Sequence, residues 1–76
     1  MLRPALEHLV KGIVDHPDDV RVRMVDSRRG QRLEVRVNPE DLGTVIGRGG
    51  RTAKALRQVI TSIGGRGVRV EIVDSY

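Results

Sequence analysis

Apolar and polar positions along this chain follow two rhythms, one helical and one extended. From Leu2 to Val14, the apolar residues Leu2, Ala5, Leu6, Leu9, Val10 and Ile13 recur at intervals of three and four. That spacing predicts one amphipathic helix, with Pro4 tolerated in its first turn. Gly12 weakens its end, and Asp15-His16-Pro17-Asp18-Asp19 is a polar break. Strict alternation follows. Val20, Val22 and Met24 share one face while Arg21 and Arg23 share the other, the pattern of a half-buried strand. A polar loop is expected over residues 26–32, and then Leu33, Val35 and Val37 alternate with Glu34 and Arg36. The two strands read as a hairpin, with Glu34 placed among the arginines of the neighbouring strand's outer face.

The second half switches back to the helical rhythm. Asn38-Pro39-Glu40-Asp41 is a helix start, offering an N-cap, a proline at the first helical position and two acids that suit the macrodipole. This helix must be short, because Gly47-Arg48-Gly49-Gly50 cannot continue it beyond about Ile46. Gly43 within it suggests a close-packing position. A longer helix begins near Arg51, with a core stripe at Ala53, Leu56, Ile60 and Ile63 and Val59 beside it. Residues 64–67 end it, and Val68, Val70 and Ile72 alternate as a last strand. The order is therefore α-β-β-α-α-β. The economical packing is α+β, with a three-stranded sheet covered by helices on one face. One domain accounts for the chain: helix and linker over 1–19, hairpin over 20–37, two helices over 38–63, and a loop with the final strand over 64–76.

Charge adds a location to this plan. The 76 residues carry a net charge of +4. Residues 1–41 cancel: Arg3, Lys11, Arg21, Arg23, Arg28, Arg29, Arg32 and Arg36 are matched by an equal number of acids. Between Asp41 and Glu71 stand Arg48, Arg51, Lys54, Arg57, Arg66 and Arg69, without a single acid. A one-sided basic stretch points to a polyanion, nucleic acid above all. The chain has no cysteine, which excludes disulfides, Cys-ligated zinc and thiol chemistry. No apolar run exceeds two residues, so no membrane span or signal-peptide core is expected, and a cytoplasmic protein is. Tyr76 is the only aromatic residue, so modules that stack bases on rings do not fit.

The chemistry concentrates at Gly47-Arg48-Gly49-Gly50. A helix N-terminus leaves backbone N–H groups unpaired and attracts phosphate. Glycines let a sugar-phosphate backbone approach the main chain and permit positive φ. Arg48 and Arg51 flank the turn with bidentate donors, and Lys54 extends the positive face one helical turn further. A Walker-type loop fails on spacing, since Gly43 would require glycine at 48, and a dinucleotide fingerprint from Gly47 would require glycine at 52. A helix-turn-helix is disfavoured by the glycine-cleared opening of the second helix and by the flanking strands. Arg21, Arg23 and Arg36 read as a solvated sheet face, and His8 and His16 as ordinary surface and loop residues. The 15–19 cluster is a polar linker rather than a metal site. No base, nucleophile and orienting group can be assembled, so an enzyme is not expected.

Val45-Ile46-Gly47-Arg48-Gly49-Gly50-Arg51-Thr52 resembles the signature of the KH domain, in which an Ile-Gly-x-x-Gly loop joins two helices. The element order, with a helix and strand ahead of the core, is similar to the type II, prokaryotic arrangement. Length and layout resemble the small stand-alone bacterial KH proteins of the KhpA family. The resemblance implies a mixed three-stranded sheet and a loop that clamps about four single-stranded nucleotides beside an aliphatic groove. It places Gly47, Arg48, Gly49, Gly50, Arg51 and Lys54 on the backbone, and Val45, Ile46 and Ala55 on an apolar floor for bases. It brings Arg28, Arg29 and Arg32 to the groove's far rim. It further implies passive single-stranded RNA binding without cofactor or metal, in post-transcriptional regulation or as an RNA chaperone. The implied partners are RNA and a second KH chain, either a copy or a larger KH-containing protein of the Jag/KhpB type. The alternative is a protein-interaction module, ribosome-associated or dimerising, with RNA binding secondary.

Overall fold

The computed structural model describes residues 2–64 and 67–73. Helix α1 (Leu2–Lys11) leads to the hairpin of β1 (Arg21–Ser27) and β2 (Gly30–Arg36). Helices α2 (Leu42–Ile46) and α3 (Arg51–Ser62) then cross to β3 (Arg69–Ile72). The sheet order is β1-β2-β3, antiparallel in the first pair and parallel in the second, so the expected mixed α+β architecture is the one observed.

Alternation decides which sheet face is covered. Val20, Val22, Leu33, Val35, Val37 and Val70 turn inward and meet Leu6 and Val10 of α1, Val45 of α2, and Leu56 and Ile60 of α3 in one cluster. Burying such side chains contributes about 1.5–3 kcal/mol each. On the uncovered face, Arg23 lies opposite Glu34 in register and donates to it at 3.1 Å. Arg32 donates to the other Glu34 oxygen at 2.9 Å. Burial opposes ionisation of Glu34, but the hydrogen bonds and charges of Arg23 and Arg32 outweigh it and hold the carboxyl below its ordinary range.

Three boundaries differ from the sequence reading. Helix α1 stops at Lys11, and Ile13 is 41% exposed rather than in the apolar stripe, because Gly12 and the break behind it end the helical bonding early. The loop expected over 26–32 is a turn of only two residues, Arg28 and Arg29, since Asp26 pairs with Gln31 and Ser27 with Gly30 in the ladder. Backbone pairing extends past the last apolar residue, where periodicity carries no signal. Arg32 is accordingly a strand residue beside Arg69 of β3, not a loop residue. Helix α3 ends at Ser62, leaving Ile63 54% exposed. The terminal Tyr76, and Arg66 of the basic stretch, lie outside the described residues.

Asp41 joins the halves of the chain. It is only 1% exposed, and its carboxylate accepts the Asp15 and His16 backbone N–H groups at 3.2 and 2.9 Å. His16 Nδ1 sits 3.1 Å from the same carboxylate. The link from the linker after α1 to the start of α2 had no sequence signature, being a contact across 25 residues.

Candidate nucleic-acid interface

The Gly47–Gly50 loop forms because α2 is stopped abruptly and α3 begins at once. Asn38 caps the approach as expected, its side chain accepting the Glu40 N–H at 2.8 Å, with Pro39 at the first position of a short 3-10 turn. At the other end, the Gly47 N–H donates to Gly43 O at 2.8 Å, and the Gly50 N–H to Gly47 O at 3.1 Å. Gly47, Gly49 and Gly50 all have positive φ, at 79°, 65° and 79°. Gly47 is the most constrained. A Cβ there would collide with Thr52 Oγ1 and lie 2.7 Å from Thr52 N, because the loop folds back against the first turn of α3. Gly43 is not a close-packing position: a Cβ would meet nothing within 4 Å, and its role in the turn is its carbonyl.

The polar groups left over face outward. Among the described residues, neither the Arg48 nor the Gly49 N–H donates to a backbone carbonyl. Helix α3 has a left-handed glycine at its N-cap and no capping side chain. Arg48 and Arg51 are exposed on either side, and Lys54 is exposed one turn on. Unpaired donors, a helix dipole and two guanidinium groups thus meet at one loop.

The loop opens onto a groove along α3. Lys54, Arg57, Gln58, Thr61 and Ser62 line its helical wall. Arg57 and Thr61 also border the cleft against β3, whose apolar lining is Val68 and Val70. The Arg57 Nε donates to Val70 O at 3.2 Å, spanning helix and strand. Arg57, Thr61 and Val68 were missed as site residues. For Arg57 the signal was present, three residues after Lys54 on the same helical face.

Of the expected floor residues, Ile46 is 39% exposed and beside the loop, and Ala55 is exposed. Val45 is wholly buried and belongs to the core, so it supports the loop from beneath and cannot touch a base. Arg28 and Arg29 are exposed at the hairpin tip, remote along the groove from the Gly47–Gly50 loop. Among the described residues, no group of three or more His, Cys, Asp or Glu could hold a metal ion, and no helix is long and apolar enough to cross a membrane.

Comparison with known proteins agrees with this geometry. The family described as "KhpA/KhpB, KH domain" matches residues 3–72. A Leifsonia xyli protein is 71% identical over 75 residues, covering 97% of this chain and 99% of its own. A Streptomyces coelicolor protein is 70% identical over 74 residues, covering 97% and 94%. One from Mycobacterium tuberculosis is 66% identical over 71 residues, covering 93% and 89%. Each of these three relatives is named "RNA-binding protein KhpA". No solved structure matches the chain.

Proposed function

This chain belongs to the KhpA/KhpB KH-domain family, and from that premise we propose that it binds single-stranded RNA by clamping the sugar-phosphate backbone in the Gly47–Gly50 loop. The family is non-enzymatic, and its members among the relatives are named for binding. The observation that carries the reading is the pair of outward Arg48 and Gly49 N–H groups at the uncapped start of α3, between two exposed arginines. Phosphate oxygens satisfy those donors. Arg48, Arg51 and Lys54 supply counter-charge. Gly47 and Gly50 hold the turn open, and Ile46 with Ala55 and the Val68–Val70 strip offers aliphatic surface to bases in place of rings. One such clamp reads few bases, so binding is weak and of low sequence specificity. We place the activity in the cytoplasm, in post-transcriptional regulation or as an RNA chaperone.

The decisive experiment is the double substitution Arg48→Asp with Gly49→Asp. It should abolish retention of a single-stranded RNA oligonucleotide while circular dichroism stays that of the wild type. Undiminished binding by this variant would refute the clamp. Wild-type affinity should also fall with salt on a log–log plot, with a slope of about −0.7 for each of roughly three to five neutralised phosphates.

A second KH chain is the proposed protein partner, either another copy or a larger protein of the Jag/KhpB type. Val59 and Ile63 support this: they lie one turn apart on α3, 41% and 54% exposed, on the flank away from Arg57. The same pair favours the assembly-module reading if RNA binding fails.

A further inference from the structure

The basic surface does not end with the groove beside α3. Arg69, which borders that groove, also lines a second cleft at the hairpin tip together with Arg28, Arg29, Gln31 and Arg32. Helix α3 runs back along β3, with Arg57 bonded to Val70 and Thr61 flanking Val68 and Arg69. The hairpin tip therefore lies at the end of the groove opposite the Gly47–Gly50 loop. It is seated there by a close backbone approach, since a Cβ on Gly30 would lie 3.0 Å from Gly67 O.

Charge balance in this second cleft is one-sided. Arg32 and Arg69 stand side by side in the parallel register. Arg32 is compensated, 2.9 Å from Glu34 and 3.6 Å from Glu71, which uses the carboxylates of that sheet face. Its buried Nε still has no hydrogen-bond acceptor. Arg28, Arg29 and Arg69 form no ion pair among the described residues. Like charges held together without counter-charge attract an anion, and guanidinium groups match phosphate bidentately.

We propose that the hairpin tip is a second phosphate anchor for the same RNA strand. The strand leaves the clamp, follows α3 and β3 past Arg57, and is caught again by Arg28, Arg29 and Arg69. This extension rests on the clamp reading and goes beyond it, because the bound length exceeds the about four nucleotides that a single clamp holds. A second contact on a tethered strand is intramolecular, so it adds affinity only to strands long enough to reach it.

The test is fluorescence anisotropy with labelled oligonucleotides of about four and about ten nucleotides, within the range of single-strand site sizes. The wild type should bind the longer strand more tightly by roughly tenfold or more. Arg28→Gln with Arg29→Gln should remove that advantage and leave the short strand's affinity unchanged. The salt slope for the long strand should drop by about 0.7 for each lost contact. Arg28→Lys with Arg29→Lys should restore most of the advantage, since charge is kept. A wild type indifferent to length overturns the proposal. So does a glutamine variant that keeps the long-strand advantage, which would assign these arginines to a protein or to another anion. Equal loss on both lengths also overturns it. If Arg48→Asp with Gly49→Asp leaves short-strand binding intact, the clamp itself is refuted. A working clamp with a flat length series refutes only the second anchor.

Discussion

Single glycines in this protein answer to different physical demands, and substitution should separate them. Alanine at Gly47 meets Thr52 and also carries the strain of a left-handed backbone, so Gly47→Ala should lose about 1–3 kcal/mol in urea denaturation. Gly43 has ordinary backbone and open space around it. Gly43→Ala should therefore stabilise by about 0.5–1 kcal/mol, through helix propensity and a less mobile unfolded chain. The opposite signs come from two residues four apart that look equivalent in sequence. Asp41 and His16 make a second residue-scale test. The hydrogen bond to Asp41 raises the His16 value above 6.5 against partial desolvation. Burial works against the charged Asp41 carboxylate, yet the Asp15 and His16 N–H groups and the imidazole bring its value below 3.8. The His16 contribution is complete below about pH 6.5 and lost as pH rises through its raised value. The Asp41 contribution is complete above its ordinary value and lost as pH falls through its lowered one. Denaturation midpoints should consequently be higher near pH 5.5 than near pH 8 in the wild type, with this difference shrinking in His16→Gln. An unchanged difference would remove the pair as its cause.

At the scale of elements, the sequence shows which segments are helix and strand and leaves their ends to be settled by bonding partners. Helix α2 begins where Asn38, Pro39 and two acids predict, and ends where Gly47 takes positive φ. Asn38→Ala should cost about 1 kcal/mol, as lost N-caps do, read as a lower thermal midpoint. The hairpin is the contrasting case. Its last ladder pairs, Asp26 with Gln31 and Ser27 with Gly30, are polar on both faces, so alternation cannot reveal them. What keeps them paired is backbone hydrogen bonding, tied off by Ser27 Oγ donating to Gly30 O at 2.8 Å and Gln31 donating to Asp26 at 3.0 Å. Shortening the loop in this way moves Arg28 and Arg29 onto a rigid tip and makes Arg32 a strand residue facing Glu34 and Glu71. The groove arises likewise between elements, since Arg57 of α3 borders it only because β3 presents Val70 O to its Nε.

The whole molecule carries its stability in one small core. Leu33, on the central strand, is fully buried among residues from both helical layers and the sheet. Leu33→Ala should cost about 2–5 kcal/mol, a large share of the roughly 5–15 kcal/mol that domains have in total, and leave the protein largely unfolded on warming. At the surface, Ile63→Lys should leave the monomer folded and lower the sedimentation-derived mass if Val59 and Ile63 form the proposed contact with a second chain. Fold class, element order and the glycine loop were legible because each is written in local terms: a period of two, a period near three and a half, a cap, a helix stop. The acid-free stretch between Asp41 and Glu71 likewise located the interface before any coordinates, since charge is a property of composition. Tertiary structure alone decided which apolar residues were free to meet a ligand. Val45 and Ile46 are neighbours of like chemistry, yet one is sealed in the core and the other lies open beside the clamp, because helical rotation separates them by about 100°. It also decided that Asp41 ties the linker to α2, and that Arg69 joins the groove to the hairpin tip. Those relations depend on which segments meet in space, and local periodicity holds no record of that.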